Sequence, residues 1–432
     1  MTPAAGAARI RERLDNEGLK MTTVWALFTL WAGLALIASL LSVWLRVSTA
    51  LTEIIVGTAA QLIIGTAFGA TALGSDEPWI KFLAGIGAIM LTFLAGAELD
   101  PVVFKKKWKE ATALGAVGFF FPFLGCAAAA YFVLGWNTSA SWLAGVALST
   151  TSVAVVYAVM IEYGLNKTEY GKTVLAACFI NDLGTVLALG FIFAPFTWHT
   201  LVFAAVAIAV FAVLPWLTPR FNRMFGNRPS EMEIKFLLFC LLGMGALAGW
   251  ADSEAVLPAY VIGMMLAGTV GRDHALVRRL RAMTFGLLTP FYFIRAGAFV
   301  SIPALIAAPF AFGFMLLAKM VTKFFGVYPV TRIYKTPNPE AMYTTLLMST
   351  GLTFGTISSL FGLSHGIITQ GQYSILVAGV IGSAVIPTLI ANAFYLPRHL
   401  LPRAEDEHSA ATAAISPPAG AVPLRTASSK AD

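Results

Sequence analysis

An aspartate in the middle of an apolar stretch is the residue of this sequence best placed to do chemistry. Asp182 is the only acid in the run from Thr173 to Ala194, which is long enough to cross a bilayer. A charge at this depth costs roughly 2.5–3.5 kcal/mol. A partly dehydrated carboxylate holds either a proton or a small cation, so we predict a site where the two compete. An ion pair that serves only folding is the alternative. Asn181 either orients this site by hydrogen bonding or caps a local distortion.

Three basic residues fall within apolar runs and are candidates to balance the charge of this site: Lys319, Lys323 and Arg295. Lys319 and Lys323 are four residues apart, so they share one face of a helix. Snorkelling to the membrane surface is the alternative for Lys323, which lies near the end of its run. Arg295 lies deeper, and an ion pair that serves only folding is an equal alternative there.

Two acids at the end of another run, Glu98 and Asp100, are candidates for a funnel that draws cations towards the site. A lysine-rich segment at residues 105–109 follows them, so we expect this funnel at the cytoplasmic surface. The alternative is that both are ordinary solvated acids at a helix end.

The composition places these residues in an all-α polytopic membrane protein. Of the 432 residues, 58% are hydrophobic and only 12% are charged, which is too apolar for a soluble protein of this size. The three cysteines lie in different apolar runs, which indicates buried thiols rather than a disulfide framework. The net charge of +7 is typical of basic cytoplasmic loops, so no nucleic-acid partner is predicted.

Apolar runs that can cross about 30 Å of hydrocarbon divide the chain into three parts. We expect an N-terminal arm over residues 1–20, a transmembrane domain over 21–396 and a disordered tail over 397–432. No nucleotide-binding fingerprint follows the last span. The predicted spans number about 13, at 22–45, 51–73, 79–98, 110–134, 140–161, 173–194, 198–217, 232–250, 255–270, 282–300, 303–325, 341–361 and 368–395.

The distribution of lysine and arginine predicts the orientation. These residues occur in six alternate connections, whereas the connections 135–139, 195–200, 251–254 and 362–367 contain none. Basic loops stay in the cytoplasm, so we expect the C-terminus inside and, with an odd number of spans, the N-terminus outside. The N-terminal arm disagrees, because it carries four basic residues against three acids.

Two predicted spans contain runs of serine, threonine and glycine, which are poor helix formers. The fifth contains Thr150, Thr151 and Ser152, and the twelfth contains Thr350, Gly351 and Thr353. The two spans lie seven apart, so five-helix repeats over residues 51–194 and 255–395 would be inverted, with crossed discontinuous helices. Paired interruptions of this kind indicate a transporter site. The alternative is close helix packing, which is also the reading of the Gly-x-x-x-Gly motifs at 65–69 and 245–249.

Five motifs, taken in their order and spacing, resemble the cation:proton antiporters. They are Leu94–Asp100, Thr151–Val155, Asn181–Asp182, Leu257–Gly263 and Lys323–Val327. The similarity is greater to the second branch, the bacterial sodium/proton or potassium/proton exchangers, and it covers residues 20–395. It implies a fold of 13 spans in which six helices form a mobile core and the rest form a dimerisation domain. It further implies a homodimer in the bacterial inner membrane, with transported Na⁺, Li⁺ or K⁺ and H⁺ and no cofactor.

The resemblance also assigns roles to individual residues. It implies an ion-binding set of Asp182, Asn181, Thr150, Thr151 and Ser152. Lys323 matches the family's basic residue before x-x-Gly and would balance the charges of the broken helices. Lys319 takes this role if the alignment slips by one turn.

Two departures from the family pattern bear on the transported ions. Electrogenic members carry two consecutive aspartates, whereas here the first is Asn181. One proton per monovalent cation, and therefore electroneutral exchange, is the prediction. Many potassium-type relatives carry a glutamate in the broken twelfth span, near the place of Thr353. Sodium or lithium is therefore the predicted cation, and potassium/proton exchange is the alternative.

A sodium-coupled symporter of an organic solute is the alternative from another class. The deep spans offer few polar groups besides serine and threonine to bind such a solute, which disfavours it. No enzyme is predicted, because the histidines at 199, 274, 365, 399 and 408 lie in loops or near span ends.

Overall fold

The structure, a computed structural model, describes residues 3–45, 48–69, 71–97, 99, 101–193, 197–226, 230–251, 253 and 255–401. All regular secondary structure in these ranges is helical. The α-helices are α1 Pro3–Leu45, α2 Thr49–Phe68, α3 Pro78–Ala97, α4 Pro101–Ala128, α5 Thr138–Ser149, α6 Val153–Glu162, α7 Glu169–Phe193, α8 Trp198–Phe225, α9 Met232–Trp250, α10 Val256–Leu266, α11 His274–Met283, α12 Thr289–Ala298, α13 Ile302–Ala307, α14 Pro309–Ile333, α15 Asn338–Met348, α16 Thr353–Ser364 and α17 Gln370–Ile390. Short π-helical segments, Ala129–Val133, Thr284–Leu288 and Ala391–Tyr395, continue α4, α11 and α17.

Ten helical segments of the described chain are long and apolar enough to cross a membrane, judged by length and composition. Three of the predicted spans are not among these ten segments, because their helices are short or interrupted. The fifth is divided between α5 and α6, the ninth is the short α10, and the tenth is interrupted by a π-helical segment between α11 and α12. The all-α multi-pass class is confirmed, whereas the count of 13 spans, their orientation and the domain boundaries stay predictions.

The N-terminal arm is described almost in full, whereas only the first residues of the C-terminal tail are described. Helix α1 begins at Pro3 and continues to Leu45, so the predicted N-terminal arm leads directly into the first span. Of the predicted tail, residues 397–401 are described and include the 3₁₀ turn Arg398–Leu400. Residues 402–432 lie outside the described residues, so their disorder stays a prediction.

Buried apolar side chains divide the helices into two packed groups. The largest cluster comes mainly from α4–α7 and α14–α17, which we call the bundle. Two further clusters lie within α1–α3 and α8–α12, which we call the panel. Tyr260 of α10 and Phe293 of the panel helix α12 belong to the bundle's cluster. Panel and bundle therefore share a continuous apolar contact.

The helix packing favours the predicted repeats, which correspond to α2–α7 and α10–α17. In the panel, α2 packs against α12 and α10 packs against α3. In the bundle, α4 packs against α5 and α7, just as α14 packs against α15 and α17. Each of these pairings thus has a counterpart when α2–α7 are matched to α10–α17. The inverted repeats stay a prediction that this pattern supports.

The crossing of α2 and α12 is a close backbone approach that requires glycine. A Cβ atom at Gly57 would overlap the carbonyl oxygen of Ile294, and one at Gly297 would overlap that of Ile54. Thr58 Oγ1 donates a hydrogen bond to the carbonyl oxygen of Gly297 at 2.9 Å. These contacts fix α12 against α2 within the panel.

We expect Gly57→Ala to lower the free energy of unfolding by about 1–3 kcal/mol, because no rotamer change relieves an overlap with backbone. Thermal unfolding of the purified protein in detergent measures the effect. Gly243→Ala is the matched control, since a Cβ atom there meets nothing within 4 Å. Alanine is also the better helix former, so the control should be neutral or slightly more stable. Equal melting temperatures for Gly57→Ala and the wild type would contradict the close approach.

Candidate functional site

Two interrupted helices meet inside the bundle. The first interruption lies between α5, which ends at Ser149, and α6, which begins at Val153. The second lies between α15, which ends at Met348, and α16, which begins at Thr353. Both coincide with the serine, threonine and glycine runs of the predicted fifth and twelfth spans. The described structure therefore contains the paired helix breaks that the sequence indicates.

The hydroxyl groups at the breaks explain why the helices stop there. The side chains of Ser149, Thr150 and Thr350 each donate to a carbonyl oxygen three residues earlier in their own helix, at 2.8, 3.1 and 2.7 Å. These bonds satisfy carbonyl groups that a helix end leaves without a partner. Thr150 then takes an extended conformation, with ψ at 149°. The hydroxyl groups thus give the carbonyl oxygens of Val146, Ala147 and Leu347 a hydrogen-bond donor where the helices end.

The two breaks are joined by direct hydrogen bonds. The Ser152 amide donates to the carbonyl oxygen of Thr350 at 3.1 Å, and Thr151 Oγ1 donates to that of Met348 at 2.7 Å. A Cβ atom at Gly351 would overlap Lys319 Nζ, so a side chain at this position would displace the lysine. The predicted residues of the two spans are therefore neighbours.

Asp182 and Asn181 lie in α7 and are buried, with 1% and 0% of their surface exposed. Asp182 Oδ1 and both amide atoms of Asn181 have no hydrogen-bond partner among the described residues. The Asn181 amide nitrogen lies beside Gly118 of α4. Buried polar atoms usually have partners. Orphaned atoms on two adjacent residues indicate a site whose ligand is supplied from outside the chain.

The two lysines of α14 reach different places around the breaks, and both are fully buried. Lys323 Nζ donates to Thr151 Oγ1 at 2.8 Å, whereas Lys319 Nζ donates to Ser383 Oγ at 2.9 Å. Lys323 interacts electrostatically with Asp182, although these two residues form no direct ion pair. The geometry therefore favours Lys323 over Lys319 as the partner of the carboxylate.

The remaining predicted site residues lie elsewhere or are not described. Arg295 Nε donates to the carbonyl oxygen of Ser75 at 2.9 Å, and Arg295 Nη2 lies 3.8 Å from Asp76 Oδ1. These contacts favour the structural alternative for Arg295, and its charge-compensating role stays a prediction. Glu98 and Asp100 lie outside the described residues. Thr353 is buried and is the first residue of α16.

A cavity of about 630 Å³, which we call cavity A, lies between panel and bundle. The panel contributes Leu94 and Ala267, and α7 contributes Phe179. Basic residues line its mouth, among them Arg272 and Arg278. Since Phe179 is three residues before Asp182 on the same helix, cavity A reaches to within one turn of the carboxylate.

A smaller cavity of about 240 Å³, cavity B, lies at the opposite end of the same interface. It is lined by Ala88 of α3, Val256 of α10 and Leu360 of α16. On α3, Ala88 comes before Leu94, which lines cavity A. Val256 at the start of α10 likewise comes before Ala267, which follows the end of α10. The two cavities therefore face opposite ends of these helices. The residues between the two cavities separate Asp182 from cavity B.

Comparison with known proteins decides the family. The family profile described as "Sodium/hydrogen exchanger, transmembrane" matches residues 32–394, which is most of the chain. The chain belongs to this exchanger family. The predicted membership of the cation:proton antiporter superfamily is thereby confirmed.

The exchanger is similar to several curated proteins. It is 26% identical over 351 residues to the Na(+)/H(+) antiporter of Enterococcus hirae, covering 77% of this chain and 90% of that protein. It is 26% identical over 387 residues to cation/H(+) antiporter 17 of Arabidopsis thaliana, covering 80% of this chain. The exchanger spans only 46% of the length of that plant protein.

A solved structure shares the fold of the exchanger. The sodium proton antiporter MjNhaP1 from Methanocaldococcus jannaschii superposes with a TM-score of 0.63 at 16% sequence identity. The match covers 88% of this chain and 98% of MjNhaP1. At this identity the similarity shows the fold alone, and the all-α architecture predicted from the sequence is consistent with it.

Proposed function

We propose that this exchanger trades a monovalent cation, Na⁺ or Li⁺, for protons by alternating access around Asp182. The observation that carries the proposal is a buried carboxylate whose Oδ1 accepts no hydrogen bond from a described residue. Such an oxygen is free to take up a proton or to coordinate a cation. The Enterococcus hirae relative is named a Na(+)/H(+) antiporter, which supports both the reaction and the ion.

The groups around Asp182 suit a small cation that prefers oxygen ligands. Asn181 offers an amide oxygen without a partner. The hydroxyls of Thr151 and Ser152 are already engaged, because Thr151 accepts from Lys323 and Ser152 Oγ accepts from the Val155 amide at 3.3 Å. A hydroxyl oxygen has two lone pairs, so each retains one for a cation. We assign Asp182 and Asn181 as the primary ligands and the hydroxyls as supplementary ones.

The two cavities support alternating access. Cavity A reaches the turn of α7 that precedes Asp182, whereas cavity B is separated from it. Movement of the bundle against the panel would close cavity A and open cavity B to the same carboxylate. Because Asp182 holds a proton or a cation but not both, each ion crosses only in exchange for the other.

Electroneutral exchange is expected, because the neighbour of Asp182 is the uncharged Asn181 and one carboxylate carries one proton or one monovalent cation. Proteoliposomes with opposed Na⁺ and pH gradients measure this. Net flux should vanish when the two concentration ratios are equal, and a potassium–valinomycin potential of either sign should leave that point unchanged. A balance point that moves with the imposed potential would contradict the 1:1 stoichiometry.

The cation-selectivity assay tests the proposal itself. Proteoliposomes holding a pH-sensitive dye should respond to added Na⁺ or Li⁺, and choline should give no response. A response to K⁺ alone would replace the sodium proposal with the potassium/proton alternative. Uptake of a labelled organic anion driven by Na⁺, without counter-movement of protons, would instead favour the symporter.

We further propose that the exchanger works as a homodimer in the plasma membrane, with the panel at the dimer interface and the C-terminus in the cytoplasm. The basic residues at the mouth of cavity A support placing that cavity on the cytoplasmic side. Membrane-impermeant labelling of cysteines introduced in opposite loops tests the orientation.

A further inference from the structure

Tyr260 of α10 is a buried phenol that the exchange mechanism above does not use. Its side chain is 0% exposed, and its hydroxyl donates to the carbonyl oxygen of Phe179 at 2.9 Å. Tyr260 belongs to the panel and Phe179 to the bundle. The hydrogen bond therefore crosses the interface along which alternating access requires movement.

Tyr260 lies in the layer that separates cavities A and B. Val256 at the start of α10 lines cavity B and Ala267, the residue that follows α10, lines cavity A, so Tyr260 falls between them. Its ring packs edge-to-face against Phe354, with ring centres 5.4 Å apart. Phe354 is the second residue of α16, directly after the second helix break. One side chain thus touches the panel, the helix that carries Asp182 and a broken helix.

The acceptor of this bond lies close to the ion site. Phe179 is three residues before Asp182 on α7, so the acceptor lies within one helical turn of the carboxylate. Other hydrogen bonds between panel and bundle, such as Tyr373 Oη to the carbonyl oxygen of Ala296 at 2.6 Å, lie near the connection that joins α12 to α13. The bond made by Tyr260 lies away from that connection, at the level of the carboxylate.

We propose that the Tyr260 hydroxyl is a latch that stabilises the state open to cavity A and that breaks when Asp182 turns towards cavity B. This inference rests on the proposed alternating access. Tyr260 acts through the position of α7, so it is a positioning residue and not an ion ligand. In an α-helix the Phe179 carbonyl also accepts the amide four residues later. Tyr260→Phe therefore removes the latch without leaving that carbonyl unpaired.

The experiment measures the accessibility of both cavities in nanodiscs, where a membrane-impermeant maleimide reaches both faces. Single reporter cysteines are introduced as Val277→Cys, which lines cavity A, or Gly85→Cys, which lines cavity B. The background lacks Cys126, Cys178 and Cys240 and must keep the melting temperature of the wild type. A lost neutral hydrogen bond shifts a two-state equilibrium by roughly three- to ten-fold. With Tyr260→Phe, labelling of the cavity B reporter should rise by that factor, and labelling of the cavity A reporter should fall.

Tyr170→Phe is the matched control, because it also removes a phenol hydroxyl that is hydrogen-bonded between helices, although Tyr170 is only half-buried. Tyr170 bonds to Thr344 Oγ1 at 2.8 Å and to the carbonyl oxygen of Glu340 at 3.1 Å, and both partners lie in the bundle. This variant should leave both labelling rates unchanged. Equal labelling of cavity B in Tyr260→Phe and the wild type would overturn the latch, as would an equal rise in Tyr170→Phe.

Measuring both maleimide labelling and cation transport distinguishes failure of the latch proposal from failure of the antiport proposal. Increased labelling in cavity B and decreased labelling in cavity A, in a protein that moves no cations, would support the latch and contradict the antiport proposal. Unchanged labelling in Tyr260→Phe, with transport that depends on Asp182, would contradict the latch and support the antiport proposal.

Discussion

Asp182→Asn is expected to reduce cation-driven proton movement to the level of protein-free liposomes. The amide has nearly the shape of the carboxylate but neither takes up a proton nor carries the charge that balances a cation. Both halves of the exchange cycle are therefore lost together. The measurement is the response of a trapped pH-sensitive dye to Na⁺ or Li⁺ in proteoliposomes containing equal amounts of wild-type and variant protein.

Two controls separate this loss from misfolding. The variant should elute from a size-exclusion column as the wild type does, although some loss of thermal stability is expected because the buried Lys323 loses its acidic neighbour. Asp182→Glu keeps the charge and should retain part of the response. A wild-type response from a folded Asp182→Asn protein would remove Asp182 from the mechanism.

Lys323→Met is expected to have the second largest effect, on both stability and transport. Lys323 Nζ donates to Thr151 Oγ1, which in turn donates to the carbonyl oxygen of Met348. The substitution breaks this link and leaves Asp182 without its basic neighbour. We expect a loss of about 3 kcal/mol in the free energy of unfolding, the lower end for a broken buried charge pair, and a strongly reduced dye response.

The stability measurement has a defined pH dependence and two matched variants. Protonation of Asp182 removes the uncompensated charge, so the deficit of Lys323→Met should be smaller at pH 5 than at pH 8. The double variant Asp182→Asn/Lys323→Met should be more stable than Lys323→Met alone at pH 8. Lys319→Met loses the hydrogen bond to Ser383 but leaves the one between Lys323 and Thr151 in place, so it should transport better than Lys323→Met. The reverse order of the two lysine variants would assign the partner role to Lys319.

The charged groups of the site are predictable from the sequence because they contradict their surroundings. An aspartate and two lysines in apolar runs carry a cost that only a partner or a function explains, and this reasoning selects Asp182, Lys319 and Lys323. The helix breaks are predictable in the same way, because serine, threonine and glycine runs disfavour helix within otherwise apolar spans. The structure places both breaks in these runs.

The pairing of these groups is not predictable, because it depends on how distant helices pack. Lys319 and Lys323 share a helix face, and only the position of α14 against the breaks decides which one reaches Thr151. Arg295 is deep in its span, yet its partners are Ser75 and Asp76 in the connection between α2 and α3. The hydropathy of the sequence indicates how deep a residue lies in the membrane, but it does not indicate which residue of another segment it contacts.

The glycine contacts show the same limit. The motif at 245–249 predicts close packing, and a Cβ atom at Gly245 would lie 2.9 Å from Ile89 Cδ1, whereas one at Gly249 would meet nothing within 4 Å. A close approach of two backbones joins Gly57 and Gly297, which stand in neither motif and lie in different predicted repeats. Spacing within one helix identifies small residues but not the helix that they meet. The hydrogen bond between Tyr260 and Phe179 is hidden for the same reason, although Tyr260 stands in a motif that the resemblance singles out.

The apparent KM for Na⁺ as a function of pH tests most directly whether cation and proton compete at one carboxylate. If a single site holds either ion, each unit of acidification on the acidic limb should raise the KM about tenfold, while the rate at saturating Na⁺ stays constant. A KM that does not change with pH, together with a saturating rate that falls on acidification, would show that the proton acts elsewhere and would contradict the account.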